Sequence, residues 1–223
     1  MSLKAGIIGL PNVGKSTLFN AITNQHILAE NYPFATIDPN VGVVNVKDVR
    51  LDRLTEMYEP KKTIPTSYEF TDIAGLVRGA SKGEGLGNKF LSHIRETDAI
   101  VEVVRCFENS NVVHVDGSIN PIRDIETINL ELVFADIETV NKRIDKAKKN
   151  LKADKKYQVE IDLLERILET LESGKSARTL DFNDEEQSMV KEMFLLTTKP
   201  ILYVANVSEE QLENAEQDEN VQK

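Results

Sequence analysis

A single cysteine, Cys106, stands in the whole chain. No disulfide can form within it, and a reducing compartment suits it. Long apolar runs are missing as well. None approaches the ~18 residues of a membrane-spanning helix, so no membrane contact is expected. The first residues lead straight into a strand-like stretch without the pattern of a signal peptide, which makes the cytoplasm the expected location. Internal repeats and low-complexity tracts are absent. Basic residues are the minority, with 27 Lys and Arg against 37 Asp and Glu. The resulting net charge of −10 excludes general adhesion to nucleic acid. Glycine is scarce too, with eleven in 223 residues, yet five of them (Gly75, Gly79, Gly83, Gly85 and Gly87) fall within thirteen positions. Backbone that permissive is costly to order, so this stretch is expected to be mobile and available for a ligand to fix. The length suits one sizeable domain, or one with an insertion.

The clearest positive signal is Gly9-Leu10-Pro11-Asn12-Val13-Gly14-Lys15-Ser16-Thr17. It fits the phosphate-binding pattern G-x-x-x-x-G-K-[ST]. Lys4-Ala5-Gly6-Ile7-Ile8 before it reads as a buried parallel strand, and Thr17-Leu18-Phe19-Asn20-Ala21-Ile22 after it has helical spacing. Strand, glycine loop and helix is the order a phosphate cradle needs. An ordinary glycine turn is the plainer alternative. In the cradle reading, Asn12, Val13, Gly14, Lys15, Ser16 and Thr17 surround a phosphate chain. Bare backbone N–H groups and the helix N-terminus face the anion. Lys15 reaches the β- and γ-phosphates and Ser16 holds Mg²⁺.

Further elements follow in the order a nucleotide switch would need. Asn31 to Asn40 is loop-like, with Thr36 between two prolines as a candidate ligand to Mg²⁺. Val41 to Val46 and Thr66 to Phe70 read as strands. The second ends at Thr71-Asp72-Ile73-Ala74-Gly75, where Asp72 is placed to contact Mg²⁺ and Gly75 to offer its N–H to the γ-phosphate. Asn88 to Glu96 is expected to be a helix and Ala99 to Val104 a buried strand. His114 lies in a loop. A lone loop histidine is ordinarily solvated or locally hydrogen-bonded.

From Asp124 the pattern changes. Leu130, Val133, Ile137, Val140, Ile144, Ala147 and Leu151 alternate spacings of three and four, and Ile161, Leu164, Leu168 and Leu171 repeat them. Two such helices joined by a short turn predict an antiparallel helical hairpin over residues 125–195. Residues 1–124 and 196–223 are then an α/β domain with a mostly parallel sheet. Asn141 to Tyr157 carries a local charge of +6, leaving −16 elsewhere. The plain reading of Lys142 to Lys156 is a solvated tip; the sharper one is a contact for RNA phosphates. Asn183 is expected to cap a helix over Asp184 to Leu196. Pro200 to Ala205 reads as a last strand, ending at Asn206-Val207-Ser208-Glu209.

Taken in order, the phosphate loop, Asn31-Tyr32-Pro33-Phe34-Ala35-Thr36, Asp72-Ile73-Ala74-Gly75-Leu76-Val77 and Asn206-Val207-Ser208-Glu209 resemble the YchF, or Obg-like ATPase, family of translation-factor-related P-loop GTPases. The resemblance covers essentially the whole chain, including the inserted hairpin. It implies binding and slow hydrolysis of ATP, with GTP comparable or poorer. Asn206, Val207 and Glu209 stand where related GTPases read guanine with N-K-x-D. Losing the lysine and changing the reach of the acid relaxes that reading. Leu76 occupies the place of the usual water-orienting glutamine, and the resemblance suggests His114 as its replacement. It further implies Mg²⁺ as cofactor, K⁺ held in part by Asn12, and ribosome association in translation or stress regulation. Family members continue past the position of Lys223 into another strand and a small TGS domain. The rivals are a nucleotide-gated binding module or GTP-specific switch whose hydrolysis is incidental, and a hairpin-led RNA-binding scaffold.

Overall fold

A computed structural model describes residues 3–24, 39–73, 75, 79, 86–109, 112–151 and 154–223. Strand β1 (Leu3–Ile8) lies at the centre of a five-stranded sheet. Its Ala5, Ile7 and Ile8 are buried, as a strand covered on both faces requires. Helix α1 (Lys15–Thr23) follows the phosphate loop. Strands β2 (Asn40–Asn45), β3 (Ser67–Asp72), β4 (Ala99–Arg105) and β5 (Ile201–Asn206) complete the order β2-β3-β1-β4-β5. All neighbours are parallel except β2 and β3. The parallel arrangement brings the carboxyl ends of β1, β3, β4 and β5 to one edge. The phosphate loop, Asp72, the segment after Arg105 and Asn206 therefore meet there.

Between β2 and β3 the chain forms helix α2 (Val49–Tyr58), an element the sequence reading leaves out. Asp48 caps it by accepting from the Arg50 N–H at 2.9 Å, and none of its residues is buried. Helix α3 (Leu86–Arg95) starts two residues before the expected Asn88 and sends Phe90, Leu91 and Ile94 into the core beside the sheet.

The long helix α4 (Pro121–Leu151) begins earlier than the heptad pattern suggests. The Asn120 carboxamide accepts from the Arg123 N–H at 3.2 Å, and Pro121 fills the first helical position, where a missing N–H costs nothing. The expected boundary at 124/125 therefore falls inside this helix. Leu130 heads the heptad but is 42% exposed. Ile128, Leu132 and Ala135 instead join the core against the sheet. Val133, Val140, Ile144 and Ala147 join a second core with Ile161, Leu164, Ile167 and Leu171 of helix α5 (Tyr157–Glu172). One helix thus carries two apolar stripes, one for each core, and a single seam cannot describe it. Gly174, at φ +80°, ends α5 in the left-handed conformation that glycine adopts without strain.

Helix α6 (Asp184–Lys191) opens on the expected cap. Asn183 accepts from the Glu186 N–H at 2.9 Å, and the Glu186 side chain returns the bond at 3.0 Å. It stops at Lys191 rather than Leu196. Met193, Leu195 and Leu196 are buried; an irregular chain with Phe194 at φ +50° delivers them inward. The next residues are held by Asp136 of α4, which is fully buried. Its carboxylate accepts from Leu196 N at 3.0 Å and from Thr197 N and Oγ1, each at 2.7 Å.

One buried residue in the sheet has no such partners. Glu102 of β4 is fully buried, and neither carboxyl oxygen accepts a hydrogen bond from the described residues. Burial pushes its carboxyl up to about 8; Arg178 opposes that shift and Asp124 adds to it. The folded chain therefore keeps a proton that the unfolded chain releases above the ordinary glutamate value of 4.5. Stability is fully present below that value and declines as pH rises towards 8. The expected loss is on the order of 2–4 kcal/mol across that window, and Glu102→Gln should flatten the profile. Urea unfolding of both proteins at pH 5 and pH 8 checks it.

Candidate functional site

The phosphate loop folds as its sequence requires. Asn12 (φ +62°) and Gly14 (φ +99°) both adopt left-handed backbone. A Cβ at Gly14 would strike the Asn206 carboxamide, so only glycine fits there. Asn206 reaches across from the end of β5 and donates to the Val13 carbonyl at 2.8 Å. That bond ties the base-side segment to the phosphate side.

Lys15 opens α1 with Gly14 as its N-cap, and its side chain is buried. Its Nζ donates to the Leu10 carbonyl at 2.8 Å. Burial pulls its pKa down to about 8, and the nearby Asp72 carboxylate opposes the shift. A Cβ on Gly75 would lie 3.2 Å from that Nζ and 3.1 Å from Pro11 N. A bare backbone unit from the end of β3 thus abuts the lysine. Ser16 Oγ donates to Asp72 Oδ2 at 2.8 Å. Desolvation raises the Asp72 pKa; the Ser16 hydroxyl and Lys15 pull it back. A hydroxyl and a carboxylate brought to one point are hard oxygen donors of the kind Mg²⁺ takes. Thr36, the remaining expected ligand, lies outside the described residues.

A cavity of about 410 Å³ opens beside this cluster. Asn12, Gly14, Lys15, Ser16 and Thr17 line one side. Phe107, Asn109, Asn206, Val207 and Ser208 line the other. Most of the expected nucleotide contacts therefore converge; Val13, buried in the core, and Gly75 do not line the cavity. Glu209 is exposed and does not line it either.

His114 is also placed away from the lining. It is 8% exposed, and both ring nitrogens are engaged. The Asp116 N–H points to Nδ1 at 3.1 Å, which makes Nδ1 the acceptor. The proton therefore sits on Nε2, which donates to Asp124 Oδ2 at 2.9 Å. The loop that carries it meets the phosphate loop through the Asn12 side chain, whose Nδ2 donates to the Val113 carbonyl at 3.2 Å.

Several residues that shape the site escape the sequence reading. Arg105, 1% exposed, donates to the carbonyls of Phe107, Asn109 and Val112 and so builds the far wall. Glu131 of α4 accepts from the Gly79 N–H at 2.6 Å, tethering that residue to the helix. Asp124 is visible in the sequence only as the start of a helical pattern. A charged residue at a strand end or on an apolar helix stripe is the one signal that could have marked Arg105 and Glu131.

Residues 4–164 match the family described as 50S ribosome-binding GTPase. The whole chain is 60% identical to the ribosome-binding ATPase YchF of Bacillus subtilis and spans 61% of that protein. It is 54% identical to the ribosome-binding ATPase YchF of Escherichia coli O157:H7, over 96% of this chain and 59% of the relative. Among solved structures, the Schizosaccharomyces pombe YchF GTPase aligns over 96% of this chain and 59% of its own, with a TM-score of 0.76 and 41% identity. The chain thus spans about three fifths of the length of these relatives.

Proposed function

Because the chain belongs to the 50S ribosome-binding GTPase family, with YchF among its relatives, we propose that it binds ATP and GTP in the cavity beside Lys15 and hydrolyses them slowly. ATP is bound at least as well as GTP. The observation that carries this reading is the convergence of Lys15, the Ser16–Asp72 pair and the Gly75 backbone at one edge of the sheet. Phosphoryl transfer to water asks little covalent chemistry of a protein, so positioning and charge do most of the work. Lys15 supplies a buried positive charge and the α1 N-terminus supplies N–H donors. Ser16 and Asp72 would hold Mg²⁺, with Thr36 as a further ligand; when bound it offsets phosphate charge. His114 orients the attacking water in this scheme, and its engagement with Asp124 accounts for slow turnover. K⁺ at Asn12 belongs to the same reading, and turnover in KCl against NaCl tests it.

The exposed Glu209 and the engaged Asn206 support a relaxed base preference. Val207 replaces a lysine, and the acid that would read guanine stands off the cavity. Titration with ATP and GTP side by side in Mg²⁺ decides it. Equal or tighter ATP binding is expected. A GTP preference of ten-fold or more would instead make this a conventional GTPase.

Ribosome association follows from the relatives' names, and the hairpin tip suggests the contact. Lys142, Arg143, Lys148 and Lys156 pair with Glu138, Glu160, Glu165 and Asp154. Lys146, Lys149 and Lys155 are exposed, with no acidic partner among the described residues. Replacing these three by glutamine should weaken RNA or ribosome binding and reduce its logarithmic salt slope by about 2 to 3. Sedimentation at 50 and 200 mM salt measures both. Unchanged binding would end the RNA reading.

A further inference from the structure

We propose that Asp124 is the positioning residue for His114: it stores the imidazole away from the phosphates and fixes which ring nitrogen carries the proton. The proposal rests on the reading of His114 as the group that orients water.

Asp124 sits in the first turn of α4 and is 3% exposed. One oxygen accepts a hydrogen bond from His114 Nε2–H at 2.9 Å. The other accepts from Arg123 Nε at 3.2 Å and Nη2 at 3.0 Å. With Asp116 N–H on Nδ1, the ring is locked as the Nε2–H tautomer and neither nitrogen can serve water.

The residues on either side of His114 indicate that this orientation is one of two. Val113 is 75% exposed and Val115 50%, while the histidine between them is buried. A loop that turns its polar side chain in and its apolar ones out is inverted relative to ordinary burial. Turning the segment over would bury the valines and present the imidazole, which offsets the loss of the Asp124 bond. Its limits are visible. Arg105 holds the Val112 carbonyl on one side, and Arg123 holds Ser118 through its carbonyl and hydroxyl on the other. Between them Gly117, at φ +73°, closes a turn on the His114 carbonyl at 3.0 Å. Asp124 is the side chain that sets the balance between the two orientations.

The test compares wild type, Asp124→Ala, Asp124→Asn, His114→Ala and the Asp124→Ala/His114→Ala double variant of this chain. Histidine ¹⁵N–¹H correlation spectra report the tautomer, and steady-state ATP hydrolysis reports kcat and KM. Wild type should show Nε2–H alone, and Asp124→Ala a mixture of tautomers. Its kcat should rise about 3- to 10-fold, with KM for ATP within two-fold of wild type. Asparagine offers one oxygen where two donors need one each, so Asp124→Asn should fall between, and it serves if the alanine variant does not fold. The double variant should be as slow as His114→Ala. An unchanged tautomer, or a kcat that stays level or falls while His114→Ala is inactive, overturns the proposal and leaves the role of His114 standing. Full turnover in His114→Ala removes that role and, with it, the proposal.

Discussion

Replacing Lys15 with methionine should cut ATP turnover by on the order of 10²–10³-fold, the loss expected when one preorganised charge at the transition state is removed. The same change should make the ligand-free protein more stable. The ammonium is buried with one carbonyl partner among the described residues, and the cost shows in a pKa pulled down to about 8. Methionine keeps the length of the side chain and needs no solvation. The expected gain is about 1–2 kcal/mol, or roughly 2–8 °C in melting temperature for a chain of this size. Opposite signs for activity and stability are what a strained functional group predicts. Thermal melts and hydrolysis assays on the same preparation measure both. A variant that loses activity and stability together would assign Lys15 a structural role instead.

Asp136→Ala should destabilise the fold by about 3–5 kcal/mol, since it orphans three buried donors at once. Those donors, Leu196 N, Thr197 N and Thr197 Oγ1, lie just before β5. Arg95 would also lose the carboxylate that now lies 3.7 Å from its Nη1. The damage should extend beyond stability, because β5 ends at Asn206, which braces Val13. Nucleotide binding should therefore weaken even where the variant remains folded. Urea unfolding with two probes tests the first part and calorimetric titration the second. A destabilisation under about 1 kcal/mol would show that water replaces the carboxylate at little cost.

What was legible in the sequence was local. The phosphate loop, Asp72 at a strand end, the Asn183 cap and the Gly174 terminator each depend on a few neighbouring residues, and each stands where its pattern placed it. What escaped depends on contacts between distant segments. Helix α2 carries Leu51, Leu54 and Tyr58 at helical spacing, but the stripe is short and none of it is buried. Helix α6 stops early because Met193, Leu195 and Leu196 are needed inside. Leu130 fits a heptad that the helix does not use, since Ile128 and Leu132 answer to the sheet instead. Glu102 sits in an apolar run that reads as an ordinary buried strand, and nothing local marks it as unpaired. The site shows the same division. Lys15, Ser16, Asp72 and Gly75 come together as expected, while Thr36 lies outside the described residues. The partner of His114 comes from a helix turn ten residues away.

Helix α4 connects these distant parts. Asp124, Glu131 and Asp136 hold the His114 loop, Gly79 and the approach to β5 from the first sixteen residues of one helix. The remaining fifteen carry one side of the hairpin. At 1.5 Å per residue that free arm is about 22 Å long. A helix tilt of about 10° around Asp136, small enough for three hydrogen bonds to follow, would sweep Leu151 through about 4 Å. In mechanical terms α4 is a beam pivoted at its middle: the same tilt would carry the Asp124 end, about 18 Å from Asp136, through about 3 Å in the opposite direction. A displacement at the His114 loop would therefore reach the basic tip at nearly its full size, with its sense reversed.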